Sequence, residues 1–578
     1  MATGGPILCI VRPMVDRFME PPFNKAAVRK LRSCGVHVGF MAMLLLTLSG
    51  AGSGWAQDHV QGHGGHALGT VTFPISCSDQ AQVQFNRAVA LLHHMTYPQA
   101  REAFQQVAET DPECAIAHWG IAMTLFQPLW PTRPAPEEVR RGWEEVQKAM
   151  ALKPPTERER LFVAATEAFF REPTSADYWL RIRRWEQAME KVYSAFPKDP
   201  EAEVFYALAL LATAPSDRIS REHSDRAAKI LLAVYERNPD HPGAMHYLIH
   251  ANDVPGRERE SLEVMRKYET IAPHNPHALH MPTHIYTRLG DWEAVIRGNL
   301  RAAEAALEYP AGDHGQFVWD EFPHAIEYLV YAYLQRGDDD KAAAQVKGLQ
   351  ETARLEPTFK TAFHLASTQA RYALERRDWK EAMSLLPREP STLDWDRFMW
   401  AEAVTWFARG YGAARENKIE EGRTAEKRLG ELEDTASKAG EVLFARNIRV
   451  LHLTVRAWLA QAQHERDSAV ALMRQAADLE ASTPKHAVTP GPTLPASELL
   501  GELLLDQKEP AEALVAYQRS LGLYPRRFNS LIGAARAARA SGDDSSARTF
   551  YHELLDVADA ATTRPGLKEA KEYLTQSR

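Results

Sequence analysis

Residues 328–346 read YLVYAYLQRGDDDKAAAQV, and residues 286–296 read YTRLGDWEAVI. Each holds an apolar run, a break at Gly-Asp and a second helical run, which is how two antiparallel helices joined by a tight turn are written in sequence. The arrangement recurs at fixed offsets. Near the start, Ala88, Ala100, Phe104 and Pro112 are spaced 12, 4 and 8 apart, with the aromatic Tyr97 between the first two; near the end, Gly501, Ala513, Tyr517 and Pro525 repeat those spacings. Less regular units lie at 370–386, 408–432 and 457–476. Small residues let two helices approach, large ones fill the gap, and Gly-Asp or Asp-Pro steps end each helix. One pair cannot bury its apolar face alone, so the pairs are expected to stack into a superhelix with a concave groove. The reading is an all-α solenoid of roughly nine or ten helix pairs, with insertions at 127–136 and 309–323.

Length and composition agree with a repeat array. A chain of 578 residues exceeds what one compact core supports. With 45% hydrophobic and 25% charged residues it is neither largely disordered nor a polytopic membrane protein. Formal net charge is −8. The first 56 residues carry six basic side chains against Asp16 and Glu20, so the remainder stands at −12 and has no broad attraction for nucleic acid or anionic lipid.

The N-terminus reads as an export signal. A basic stretch from Lys25 to Arg32 precedes the apolar run VGFMAMLLLTLSG from Val38, and small residues lead to Gly54-Trp55-Ala56. The apolar run is too short for a comfortable span of a ~30 Å hydrocarbon core. The segment before Lys25 is long for a signal, so the alternatives are a start at Met19 or a chain that stays anchored. The expected organisation is an extension and signal at 1–56, a Gly/His-rich linker at 57–80, repeats with a histidine-rich groove at 81–350, and further repeats at 351–578. The expected location is periplasmic or extracellular, with no stable membrane span once the signal is cleaved. Export leaves Cys77 and Cys114 in the mature chain. In an oxidising compartment they form one disulfide; the alternative is two buried thiols.

With these offsets the chain resembles the tetratricopeptide-repeat superfamily. It is also similar, more narrowly, to exported bacterial repeat proteins of uncharacterised function, through TFPISC (72–77), DPECAIAHWGIAM (111–123), HPGAMHYLIHAND (241–253), HALHMPTHIYTRLGDW (277–292) and HAIEYLVYAYLQ (324–335). The resemblance implies a scaffold whose groove takes a protein, peptide or small ligand, with positions 2, 5, 9 and 12 of each first helix facing that groove. It implies no chemistry.

The histidines carry the remaining signal. Nine of the 22 lie between His241 and His324. His246 and His250 are four apart and share a helix face, as do His280 and His284. His246 to His280 and His250 to His284 are each 34 residues, the repeat period, so the two pairs occupy equivalent places on neighbouring helices. In the unit-by-unit numbering they fall at positions 5 and 9. Glu327 and Tyr331 take those positions in the next unit, His324 and His277 take position 2, and Asp253 takes position 12.

Helices packed about 8–10 Å apart let such side chains meet at one ion. Imidazole with carboxylate suits Zn²⁺, Fe²⁺ or Cu²⁺. The candidate ligands are His246, His250, His280, His284 and Glu327, with Asp253, His277, His324 and Tyr331 as supporting or ligand-binding groups. Two alternatives stand beside this: the imidazoles bind a polar ligand directly, or they hydrogen-bond across helices to hold the solenoid together. His93, His94 and His118 read as packing or capping residues, and His59, His63 and His66 as parts of a solvated linker.

No Ser-His-Asp order, P-loop, dinucleotide fingerprint or HExxH is present. The first functional expectation is therefore an exported binding scaffold. The alternative is a metal-dependent enzyme with a mono- or dinuclear centre activating water or O₂.

Overall fold

Ser78 ends an extended stretch by accepting the Ala81 N–H on its side chain, and the first helix, Asp79–His93, starts there. In the computed structural model, residues 66–576 are described apart from 130–132, 175–176, 215–219 and 313–314. The segment read as an export signal, most of the expected linker, and the histidines at 59, 63 and 314 lie outside the described residues. Residues 67–578 pack as one compact unit. The expected division at 350/351 falls inside the helix Asp339–Glu351.

The architecture is an all-α solenoid. The first helix is followed by Tyr97–Thr110, and antiparallel pairs continue to the last helix, Pro565–Gln576. The small-against-large rule is realised in the packing. A Cβ on Gly120 would stand 2.2 Å from the Phe104 ring, and a Cβ on Gly533 would stand 2.2 Å from the Tyr517 ring. Each aromatic thus fills the hollow left by a glycine 16 residues later, on the first helix of the next pair, once near the start of the array and once near its end. The 309–323 insertion is a short hairpin in which Pro310–Ala311 pairs antiparallel with Phe317–Val318. Among the described residues no helix is long and apolar enough to cross a membrane.

The expected linker is partly core. Leu68, Val71 and Phe73 are buried against the first repeats. Cys77 and Cys114 are bonded to each other, with Cα atoms 5.3 Å apart, and tie that segment to the start of the helix Ala115–Met123.

The expected open groove is not open at the histidines. The C-terminal repeats fold back on the middle of the chain: Trp292 Nε1 donates to the Arg526 carbonyl at 2.8 Å, and the Phe528 N–H donates to Gln335 Oε1 at 3.0 Å. The segment 482–495, between the helices Arg466–Ala481 and Ala496–Asp506, runs across the inner face. Arg371 donates to the carbonyls of Pro492 and Gly491, and Lys485 reaches Asp253 at 2.5 Å. A pattern of positions within one repeat carries no information about a loop arriving from 120 to 232 residues further along the chain, which is why the sequence left the groove empty.

Candidate metal centre

Four helical segments supply the site: Pro242–Asn252, Pro276–His280, Pro282–Leu289 and Glu321–Gln335. The second and third are one helix interrupted at Pro282, which has no N–H to continue the ladder. The His284 N–H bonds instead to the Met281 carbonyl, three residues back, and Thr283 Oγ1 donates to the His280 carbonyl at 2.6 Å. This tightened turn sets His280 and His284 on one face with their Nε2 atoms 3.0 Å apart.

The structure gathers six imidazoles into two adjoining triads. His246, His250 and His277 form the first, and His280, His284 and His324 the second; in each, one donor atom per residue lies within 4.8 Å of the others. His250 and His284 join the triads with ring centres 5.7 Å apart, as do His277 and His280 at 6.0 Å. All but His250 are 0% exposed. His250 is half-buried, and its Nε2 is buried with no hydrogen-bond partner among the described residues.

The outward nitrogens determine where the protons are. A ring nitrogen facing an acceptor must carry its hydrogen, and in a neutral imidazole the other nitrogen then holds a lone pair. His246 Nδ1 faces the His93 carbonyl at 2.6 Å, and His277 Nδ1 faces Glu321 Oε2 at 3.0 Å. His284 Nδ1 faces Asp253 Oδ2 at 2.9 Å. His280 Nδ1 faces Asn299 Oδ1 at 2.7 Å, and that amide is oriented by its own N–H donating to the Val295 carbonyl.

His324 Nδ1 donates to His364 Nε2 at 2.9 Å, because His364 Nδ1 already donates to Glu327 at 2.5 Å. Five of the six histidines therefore turn a lone pair inward. Two pairs of these lone pairs meet head on: His246 Nε2 with His277 Nε2, and His280 Nε2 with His284 Nε2, each at 3.0 Å.

Burial keeps a second proton off both rings of the His280–His284 pair, so there the opposition of the lone pairs stands. Burial, reinforced by the neighbouring imidazoles, holds His246, His250, His280 and His324 well below the ordinary range. Burial and the nearby Lys485 ammonium bring His284 down to about 4. A metal cation does relieve it. An ion about 2.1 Å from two nitrogens 3.0 Å apart subtends roughly a right angle, within the normal range for cis ligands.

A third cluster shows the contrast. His93, Glu201 and His241 are as closely grouped, yet their hydrogens are all placed. His241 Nδ1 accepts the Ala244 N–H, so its Nε2–H donates to Glu201 at 3.1 Å. His93 Nε2–H donates to the other carboxylate oxygen at 2.8 Å, and its Nδ1 accepts from the Tyr247 hydroxyl. This triad is complete without an ion.

The groups read from sequence as ligands separate into two layers. His246, His250, His280 and His284 face inward, joined by His277 and His324 from position 2. Glu327 is one layer out, bonded to His364, Ser367 and Arg371. Asp253 holds His284 and is itself held by Arg288 and Lys485. Tyr331 lies apart, accepting from Arg527 at 2.9 Å. Sequence reasoning missed Glu321, Asn299, His364 and Lys485. Only His364 carried a hint, 40 residues beyond His324 on the first helix of the following pair.

Residues 85–127 match the tetratricopeptide repeat family. Comparison with curated proteins finds no match. Among solved structures, the human IFIT1 dimer with m7Gppp-AAAA is 14% identical, with a TM-score of 0.36 over 77% of this chain and 90% of that one. Yeast Tom70 is 13% identical, with a TM-score of 0.28 over 86% and 96%. Likeness at that level says nothing about the site.

Proposed function

We propose that this tetratricopeptide-repeat chain is a metalloprotein, and that its central repeats are built to hold two transition-metal ions between His246, His250, His277 and His280, His284, His324. The observation that carries the reading is the opposed pairs of Nε2 lone pairs, buried 3.0 Å apart while every outward nitrogen of those four rings is committed to an acceptor. A packing role would place a hydrogen between each pair, as the His93–Glu201–His241 cluster does. Outer carboxylates that fix the tautomer and orientation of a ligating imidazole are the usual support of a metal site.

As a class, such repeats are protein-interaction scaffolds, and the remaining faces of the array keep that capacity. At the histidines the inner face is occupied by the chain's own 482–495 segment, so the centre serves small ligands. The Cys77–Cys114 bridge and the basic, apolar and small-residue order of the N-terminus support export to an oxidising compartment.

Elemental analysis of the purified chain, stripped by chelation and reloaded, tests the reading. Two ions per chain are expected, falling to one in His280→Ala. A chain that retains no Zn, Cu or Fe overturns it.

A further inference from the structure

We infer that the two triads hold a copper pair which, in its reduced form, binds dioxygen; this rests on the two-ion reading above. The donor set carries the metal assignment. Every carboxylate near the triads is already committed to an imidazole N–H: Asp253 to His284, Glu321 to His277, and Glu327 to His364. No oxygen anion remains to bridge two ions, as hard cations and di-iron carboxylate centres require. An all-imidazole set suits copper, zinc or nickel, and divalent affinity at a given nitrogen site peaks at copper. Three neutral nitrogens per ion suit Cu(I) and leave a coordination position open.

The enclosure carries the ligand assignment. With five of the six imidazoles at 0% exposure, the half-buried His250 is the one exposed edge of the centre among the described residues. So buried a centre suits a small uncharged molecule rather than a peptide or sugar. The cross-triad spacings of 5.7 and 6.0 Å between ring centres set the two triads side by side, so one small ligand would span two ions held there. The redox step balances within the site. Each Cu(I) gives one electron, O₂ becomes a peroxide held between two Cu(II), one Cu–O bond forms at each ion, and no proton moves.

The full chain, stripped and loaded anaerobically with Cu(I), is expected to hold two coppers. Admitting oxygen is expected to produce an intense near-ultraviolet charge-transfer band without a Cu(II) electron paramagnetic resonance signal, because the two ions couple through the bridge. His280→Ala, with its fold checked by circular dichroism, is expected to keep one copper and show an uncoupled Cu(II) signal in air. Two bound coppers that stay colourless in air, or that oxidise to two uncoupled ions, overturn the dioxygen inference and leave the metal centre standing. Retention of zinc over copper from an equimolar mixture overturns the copper assignment. Failure to hold any of these metals overturns the centre itself.

Discussion

His246 and His277, 31 residues apart in the chain, face each other with 3.0 Å between their Nε2 atoms, while the Nδ1 atoms face the His93 carbonyl and the Glu321 carboxylate behind them. Opposed lone pairs on buried acceptors destabilise a fold by about 1–3 kcal/mol, so the metal-free chain holds a local cost that an ion removes; at the second pair the Tyr328 hydroxyl, 3.4 Å from His284 Nε2, offsets part of it. The unfolding midpoint of chelator-stripped protein should rise with added Cu²⁺ or Zn²⁺. At a thousandfold excess over Kd the gain is about 4 kcal/mol per site. Calorimetry at graded metal concentrations checks this, and a midpoint independent of metal refutes it.

Asp253 stands behind the second triad as Glu321 stands behind the first, so the two carboxylates should be separable. Asp253→Asn keeps the shape but weakens the hold on the His284 N–H and leaves Arg288 and Lys485 short of their anion. A drop of 10- to 100-fold in affinity for one of the two ions is expected. Glu321→Gln should weaken the other. Competition titrations against a chelator of known affinity distinguish them; equal losses at both sites in both variants would show that the triads do not act separately.

Packing gives a prediction independent of any ion. A methyl on Gly533 would meet the Tyr517 ring at 2.2 Å, a distance no side chain tolerates. Gly533→Ala should destabilise by about 1–3 kcal/mol through overpacking, measured by denaturant unfolding. The double variant with Tyr517→Leu should recover part of that loss, because the smaller side chain vacates the space.

The repeat and the centre were legible to different depths. Helix pairing was readable because Ala88, Ala100 and Phe104 and their counterparts Gly501, Ala513 and Tyr517 report local contacts at fixed offsets. The inward histidines were readable because the period places His246 over His280 and His250 over His284. Position 2, holding His277 and His324, completed both triads although it was read as supporting. The rest was hidden by distance. Lys485 lies 232 residues from the Asp253 it neutralises, and Asn299 reaches His280 from the second helix of its pair, a position chosen by packing rather than register. Glu327 shared the right position but turns to His364, since the following repeat offers it a histidine, a serine and an arginine.

Acid sensitivity follows from a histidine outside the centre. His94 is fully buried, donates from Nε2 to the Leu68 carbonyl at 3.0 Å and accepts the Tyr268 hydroxyl at Nδ1 at 2.7 Å, so the fold has no place for a second ring proton. Burial lowers it to about 3 from an ordinary 6.5. The folded value lies below the unfolded one, so below pH 6.5 the unfolded chain binds a proton that the folded chain refuses. Stability from this group is complete above pH 6.5 and is lost as pH falls toward 3, at about 1.4 kcal/mol per pH unit. Between pH 7 and pH 5 His94 should therefore account for about 2 kcal/mol of lost stability. His94→Gln keeps a donor and an acceptor without a titrating ring. Its stability at pH 7 has an offset of its own, but the fall from pH 7 to pH 5 should be smaller than wild type by that amount in urea unfolding of the stripped protein. Parallel pH profiles for the two proteins would show that His94 is protonated inside the fold.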